Sequence, residues 1–419
     1  MVTNAISNAK ATVELLSMAD GEDQRGFATE ATEFLASHLE LRAPSAEGWG
    51  LGDERLTLFH ETSDAQERAE ADAARNWQRT RWDAGFGWIA GPKEHGGRGL
   101  PPEYESLYRR IESAFDVPDP SPLRIGIGTV GPAILFNGTA EQVERYVVPI
   151  YRGDTVACQL FSEPGAGSDL AGVRTRGVAV EGGWQITGQK VWTSNAQFAD
   201  IGLALVRTDP NAPKHSGLTM FVVDMSAPGI DVRPLRQMTG GASFTEVFLD
   251  SVEVPDGAVV GAVGGGWSVA TRALAGERKA VGDRTHEVTD RAIGLLRELA
   301  RRTGRDGDPI VRQEWARVYA RLRIARFQQQ RVQAIPESEL TGVERAVDKL
   351  LVSSNLRALG DLAATILGQD LVVNTGQWGT FGWTKWIMGA FGYRIAGGTE
   401  EILKTMLAER GLMLPRESR

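Results

Sequence analysis

The sequence is poor in the residues that build disulfides and metal sites. Its 419 residues contain one cysteine, Cys158, which excludes a disulfide within the chain and a metal site built from several cysteines. The five histidines lie in unrelated contexts, and the sequence contains no HExxH, P-loop or GxSxG motif. We therefore expect neither a bound metal nor a histidine-based catalytic triad.

The chain also lacks an excess of positive charge and a long apolar run. Lysine and arginine number 46 against 54 aspartates and glutamates, for a formal net charge of −8. This balance disfavours a general binder of nucleic acid or anionic membranes. No stretch approaches the roughly 18 uninterrupted apolar residues of a membrane span, and the first residues do not read as a secretory signal. Together with the single cysteine, these features predict a cytoplasmic protein.

Three zones of different pattern follow one another along the chain. Residues up to about 156 form helical segments, including 63–84 and a capping box that begins at Thr139. Residues 157–263 are rich in valine, threonine and glycine with period-two alternation, and Glu181-Gly182-Gly183 indicates a hairpin. Residues from 264 onward are helical again, with long segments at 312–334 and 343–367. The order predicts an all-β unit between two helical zones.

One apparent nucleotide-binding motif is better explained by helix packing. Gly126, Gly128 and Gly131 match the spacing GxGxxG. They lie in a helical zone without the strand–helix–strand unit that a dinucleotide fold requires. We therefore predict a packed helix start at this position.

The densest cluster of unusual residues lies between positions 159 and 195, QLFSEPGAGSDLAGVRTRGVAVEGGWQITGQKVWTSN. Gly167 and Ser168 belong to a glycine-rich turn whose N–H groups and hydroxyl suit a pyrophosphate, although a tight surface loop has the same composition. Trp192 precedes Ser194 by two residues on a predicted strand. A tryptophan at such a position belongs either to the core or to the wall of a ligand site.

The motifs SEPGAGSD, GQKVWTSNA, GGWSVATRALAGER and AGGTEEI, in this order, resemble the acyl-CoA dehydrogenase family. The resemblance extends from about Trp77 to Leu412. It implies an N-terminal α-helical domain (1–156), a middle β-barrel or β-sandwich domain (157–263) and a C-terminal four-helix bundle (264–419). It also implies bound FAD, dehydrogenation of an acyl-CoA to the trans-2-enoyl-CoA, an electron-transfer flavoprotein or similar acceptor, and a homo- or hetero-oligomer.

The resemblance assigns roles to residues that match the family motifs. Ser162 and Ser194 correspond to hydroxyls that hydrogen-bond the flavin, Trp192 to an aromatic residue against its ring, and Ser168 to a contact with the pyrophosphate or CoA. The residues expected to bind the cofactor are Phe161, Ser162, Gly167, Ser168, Trp192, Thr193, Ser194, Gly398, Thr399 and Glu401.

The usual catalytic base of the family is missing. Many members carry a glutamate in Tyr-Glu-Gly-Thr, where this chain has Ala396 and Gly397. Glu400 and Glu401 lie in the first turn of a predicted helix, where acids stabilise the helix N-terminus by about 0.3–1 kcal/mol.

Other branches of the family place the base in a Glu-Arg pair on the helix after the β domain. The resemblance therefore implies that Glu277 is the base, although a surface glutamate on a charged helix has the same local sequence. It also implies that Ser168, Arg278 and Gly397 contact the substrate.

Two further features separate this chain from many family members. The Ala-Gly pair removes bulk, so we expect an acyl pocket for bulky or branched substrates, including steroid side-chain thioesters. The segments RRTGRDGDPIVRQ and LGQDLVVNTGQWGTFGW replace motifs that reach the FAD of a neighbouring subunit. Two alternatives stay open: a flavin monooxygenase or oxidase of the same fold, and a partner subunit of a hetero-oligomeric dehydrogenase.

Overall fold

The computed structural model describes residues 21–42, 58–59, 64–336, 339–373 and 380–416. Within these ranges the side chains of residues 64, 277–287 and 380–381 lie outside the description. Ser63, the first residue of the predicted helix 63–84, falls outside the described residues.

The N-terminal part is helical, as expected. Thr139 caps its helix through a capping box: its hydroxyl accepts from the N–H of Gln142, and the Gln142 side chain accepts from the N–H of Thr139. The helices are α1 (Glu22–His38), α2 (Asp64–Asp83), α3 (Pro102–Glu112), α4 (Gly131–Asn137), α5 (Ala140–Gln142) and α6 (Val148–Arg152). A π-helical turn at Gly126–Val130 leads into α4, and a second at Val143–Val147 joins α5 to α6.

The glycine motif forms a packed π turn rather than a nucleotide loop. Gly126–Val130 leads directly into α4. The hydroxyl of Tyr151 donates to the carbonyl oxygen of Ile127 at 3.1 Å. A Cβ on Gly131 would lie 3.0 Å from Cε2 of Tyr151, a tight contact that favours glycine there. The prediction of a packed helix segment is confirmed.

The middle of the chain forms an eight-stranded sheet. Seven strands follow the order β6-β7-β3-β2-β4-β5-β8, and β1 pairs with β4 in parallel. The central strands β4 and β5 are buried along nearly their whole length, because helices cover one face and the sheet curls over the other. The strands are β1 (Ala157–Leu160), β2 (Arg176–Val180), β3 (Gly183–Ser194), β4 (Ile201–Arg207), β5 (Leu218–Asp224), β6 (Ile230–Leu235), β7 (Phe244–Pro255) and β8 (Val259–Val260).

The predicted hairpin is present. β2 and β3 are antiparallel, and Val180 pairs with Gly183 across the two-residue loop Glu181-Gly182. Gly182 has φ 76°, a value that favours glycine in a tight hairpin loop.

The C-terminal part is a four-helix bundle with a short fifth helix, as expected. α9 lies in the middle and contacts α7, α8 and α10. The helices are α7 (Gly266–Arg302), α8 (Pro309–Gln333), α9 (Val343–Leu367), α10 (Thr380–Ile395) and α11 (Glu400–Met406), followed by a π turn at Leu407–Gly411. The first part of α7 packs on β5 and on the π turn Gly126–Val130, so this helix joins all three parts of the molecule.

One segment of the described chain, Val343–Val372, is long and apolar enough to cross a membrane by length and composition. In the fold this segment is the central helix of the bundle with the turn that follows it, and 56% of its most apolar window is buried. Its apolar character is accounted for by packing inside the bundle.

Candidate functional site

Trp192 places a large aromatic side chain in solvent at a strained point of β3. The residue is 61% exposed, and its φ of 61° lies in the left-handed region that non-glycine residues rarely adopt. The strain accompanies a β-bulge, because Lys190 pairs with Val247 and Thr193 with Thr245, so β3 carries one extra residue. A strained residue beside a bulge is typical of a ligand-binding position.

The end of β1 lies beside this bulge. The N–H of Val191 donates to the carbonyl oxygen of Ser162 at 2.9 Å. Phe161 is buried, whereas Ser162 and Ser194 are half-buried. Thr193 is buried, and its hydroxyl has no hydrogen-bond partner among the described residues. The structure thus brings the predicted cofactor contacts of β1 and β3 together.

The glycine-rich turn is an exposed loop that starts at the same place. Gly167 and Ser168 are exposed, and a Cβ on Gly165 or Gly167 would meet nothing within 4 Å. Asp169, at the end of the turn, accepts from the exposed ammonium group of Lys214 at 2.6 Å. The open side of this loop leaves room for a ligand.

A buried ion pair that the sequence analysis missed lies beneath these residues. Nζ of Lys190 donates to Oε1 of Glu163 at 2.9 Å, and Lys190 is fully buried. Burial lowers the pKa of Lys190 to about 8, against the opposing effect of Glu163. Burial alone would raise the pKa of Glu163, but the charge of Lys190 and hydrogen bonds to the carboxylate outweigh it and hold that pKa below its usual value.

An aromatic chain connects the bulge to the C-terminal helices. The Trp192 ring meets Phe244 edge-on at 6.0 Å between centroids, and Phe244 meets Phe59 at 5.4 Å. Phe59 packs on Tyr393 at 5.4 Å, and the Tyr393 hydroxyl donates to the carbonyl oxygen of Leu58 at 3.4 Å. No local pattern in the sequence signals Phe59 or Phe244, because their neighbours are distant along the chain.

The Gly397–Thr399 turn follows directly after α10. Gly397 and Gly398 have φ values of 66° and 99°, which explains the two glycines. Lys349 on α9 donates to the carbonyl oxygen of Gly398 at 2.9 Å. The Thr399 hydroxyl caps α11 by accepting from the N–H of Ile402 at 3.2 Å. The hydrogen bonds found at this turn run within the C-terminal helices.

The two glutamates after this turn differ in environment. Glu400 is buried, and its carboxylate accepts from Arg394 at 3.0 Å and from Ser353 at 3.1 Å. Burial opposes its ionised form, but these hydrogen bonds and the charges of Arg394 and Lys404 hold the pKa of Glu400 below its usual value. Glu401 is exposed. The lowered pKa of Glu400 does not suit a catalytic base at neutral pH.

Glu277 and Arg278 lie on α7, but their side chains are outside the described residues. The preceding residue, Gly276, packs closely against the π turn Gly126–Val130. A Cβ on Gly276 would lie 2.7 Å from the carbonyl oxygen of Gly128 in the π turn. Glu277 therefore directly follows a close contact between α7 and the π turn Gly126–Val130.

The residues around the bulge fit an FAD group. An exposed indole provides an apolar wall, half-buried hydroxyls at Ser162 and Ser194 provide hydrogen bonds for a heteroaromatic ring, and the open loop at Gly167 and Ser168 suits phosphate.

Comparisons with known families agree with the fold. Residues 158–252 match the model of the acyl-CoA dehydrogenase middle domain. Residues 264–412 match the model of the acyl-CoA dehydrogenase C-terminal domain.

Individual relatives cover most of the chain. The acyl-CoA dehydrogenase FadE34 of Mycobacterium tuberculosis is 42% identical over 324 residues, which are 76% of this chain and 44% of FadE34. The acyl-CoA dehydrogenase IpdE1 of the same species is 34% identical over 384 residues, which are 91% of this chain and 98% of IpdE1. The chain thus spans less than half of FadE34 and nearly all of IpdE1.

A solved structure described as the Tcur3481-Tcur3483 steroid ACAD is 26% identical, with a TM-score of 0.73. The match covers 100% of this chain and 99% of that chain.

Proposed function

The chain belongs to the acyl-CoA dehydrogenase family, and on that basis we propose that it is an FAD-dependent enzyme converting an acyl-CoA thioester to its trans-2-enoyl-CoA. The reaction removes a proton from the α-carbon and a hydride from the β-carbon. The observation that carries the proposal is the exposed Trp192 on its strained bulge beside Ser162 and Ser194. FAD, when bound, accepts the hydride.

The cofactor is proposed to lie along the bulge and the loop that starts at Ser162. The Ser162 and Ser194 hydroxyls would hydrogen-bond the ring, and Trp192 would cover it and exclude water. Gly167 and Ser168 would face its pyrophosphate or the CoA. On the bundle side we assign the cofactor contacts to Gly398, Thr399 and Glu401, with Phe161 and Thr193 packing behind the ring.

Glu277 is the proposed base. Gly397 supplies no carboxylate, Glu400 is engaged by Arg394 and Ser353, and Glu401 is exposed at a helix start. Glu277 follows Gly276, where the α7 backbone lies against the π turn Gly126–Val130, and this position on α7 supports the proposal.

The proposed substrate is a bulky acyl-CoA, with Arg278 near the CoA and Gly397 beside the acyl group. Two features support this class. The Ala396-Gly397 pair has little side-chain volume on one wall, and the structural relative of 26% identity is described as a steroid ACAD. We propose an electron-transfer flavoprotein or similar protein as acceptor, and the cytoplasm as location because Cys158 is a buried free thiol.

A second candidate function is that of one subunit in a hetero-oligomeric dehydrogenase. The name of the structural relative joins two components, Tcur3481 and Tcur3483. In many family members, two motifs of the C-terminal domain reach the FAD of a neighbouring subunit. This chain has RRTGRDGDPIVRQ and LGQDLVVNTGQWGTFGW in place of those motifs. Under this alternative the chain is inactive alone and gains activity when produced with a second chain.

The test is anaerobic titration of the purified protein with a panel of acyl-CoA thioesters, followed by its flavin absorbance. We expect a bound flavin whose absorbance bleaches with a bulky acyl-CoA and returns with an artificial electron acceptor. Rapid oxygen consumption without an acceptor would instead indicate an oxidase or monooxygenase. Flavin-free protein that becomes active when co-produced with a second chain would indicate the partner-subunit function.

A further inference from the structure

The Lys190–Glu163 ion pair lies beneath the part of the candidate cofactor site that the β domain provides. Nζ of Lys190 donates to the carbonyl oxygens of Phe161 at 3.0 Å and Leu205 at 2.7 Å, in addition to Glu163. These three acceptors match the three N–H bonds of an ammonium group. The Phe161 bond fixes the peptide that leads into Ser162, and the Leu205 bond anchors the group to the central strand β4.

Glu163 closes the base of the exposed glycine-rich loop. Its Oε2 accepts from the N–H of Arg174 at 2.6 Å, and its Oε1 accepts from the N–H of Thr175 at 2.8 Å. Its backbone exchanges two hydrogen bonds with Ala166, at 3.1 and 3.0 Å. One carboxylate therefore joins the two ends of the loop that carries Gly167 and Ser168.

Lys190 connects this closed loop to the bulge, because it lies two residues before Trp192 and pairs with Val247 at the start of the bulge. Its charge is fully buried and satisfied by the groups named above. A buried ion pair costs desolvation energy and is weak evidence for stability alone. A positional role for this pair accounts for its hydrogen bonds to the Phe161 peptide, to the far end of the loop and to β4.

We propose that the Lys190–Glu163 pair positions the cofactor cradle, holding the Phe161–Ser162 peptide, the Gly167–Ser168 loop and the Trp192 bulge in one arrangement. Neither residue touches the cofactor in this proposal; both act through the backbone groups they bind. The proposal rests on the proposed function, because it assumes that FAD occupies this site.

The variants are Glu163→Gln, Lys190→Met and the two combined. Glutamine has the shape of glutamate but one acceptor oxygen, so its NH₂ group faces an N–H of Arg174 or Thr175 and Lys190 loses its counter-charge. Methionine keeps the apolar length of lysine without its hydrogen bonds. Lys214→Met is the matched control, because Lys214 forms an exposed ion pair with Asp169 on the same loop.

Two measurements separate positioning from stability. FAD affinity is measured on folded apoprotein by fluorescence titration, with thermal unfolding of the same samples. Hydrogen exchange by mass spectrometry reports on residues 161–175 without cofactor. We expect Glu163→Gln to bind FAD about tenfold or more weakly, with faster exchange in this segment and an altered visible circular dichroism of bound flavin. Lys214→Met should match the wild type.

Wild-type FAD affinity and exchange in both folded Glu163→Gln and the double variant would overturn the positioning role. Weaker FAD binding with unchanged exchange at 161–175 would overturn it as well. If Lys190→Met does not fold, the FAD affinity and hydrogen exchange of the isosteric Glu163→Gln variant decide whether the pair has a positioning role. If the wild-type protein itself binds no FAD, the proposed function fails, and the exchange measurement still tests whether the pair orders the loop.

Discussion

The Gly276 backbone on α7 lies against the carbonyl oxygen of Gly128, so closely that an added Cβ would come within 2.7 Å of that oxygen. Gly128 belongs to the π turn Gly126–Val130, and Gly276 immediately precedes Glu277. π turns often occur at functional sites. The contact fixes the distance between the N-terminal helices and the helix that carries the proposed base.

Gly276→Ala is expected to slow the reaction by displacing α7 from the π turn. We predict a loss of kcat of about tenfold with FAD still bound, because a displacement of about 1 Å in a positioned group costs rate rather than cofactor affinity. Gly294→Ala on the same helix is the control, since a Cβ there meets nothing within 4 Å. It should keep wild-type kcat and gain up to about 1 kcal/mol from helix propensity. Equal kcat values for the two variants would contradict the role of the contact.

Trp192→Gly is expected to separate ligand binding from folding. Glycine adopts φ 61° without strain, so the apoprotein should keep or gain stability while FAD binding weakens. Trp184→Gly is the control, because Trp184 packs into the core against Phe221 and its loss should destabilise the fold. Thermal unfolding and FAD titration measure both effects. Strong destabilisation by Trp192→Gly with unchanged FAD affinity would assign Trp192 to the fold instead.

Glu400→Gln is expected to affect stability and leave the chemistry intact. The folded pKa of Glu400 is lowered, so its stabilising effect is present above its ordinary pKa of 4.5 and is lost as pH falls through the folded value. The difference in unfolding free energy between wild type and variant should be about 1 kcal/mol near pH 7 and shrink below pH 4.5. Flavin reduction by acyl-CoA should stay within a few-fold of wild type. A loss of reduction with FAD retained would point to Glu400 as the base.

Ala396→Tyr is expected to narrow the proposed acyl pocket. A tyrosine at this position restores the bulk that many family members carry, so kcat/KM for a ring-bearing acyl-CoA should fall about tenfold relative to a short linear one. Ala396→Ser adds polarity without bulk and should leave the ratio unchanged. An equal loss for both substrates would contradict a role in substrate size selection.

The sequence correctly predicts the structural elements that depend on residues close to one another along the chain. The capping box at Thr139, the hairpin at 181–183 and the helix at 343–367 are confirmed, because caps, tight turns and apolar periodicity act within a few residues. The motif resemblance likewise led to the correct family and fold.

Features that depend on distant residues were missed. β1 pairs in parallel with β4, which lies more than 40 residues further along the chain. No turn sequence between the two strands indicates such a pairing. Phe59 reaches Phe244 and Tyr393 from another part of the chain. A signal for Lys190 existed: it lies four residues after the buried Ile186 on β3, a core-facing position where a lysine requires a buried partner.

Anaerobic stopped-flow reduction of the flavin by acyl-CoA, comparing wild type with Glu277→Gln, tests the central claim most directly. Because a positioned general base contributes about 10²–10⁴-fold to rate, the variant should bind FAD and acyl-CoA normally but bleach the flavin slower by a factor in that range. Bleaching at the wild-type rate in Glu277→Gln would show that Glu277 is not the base.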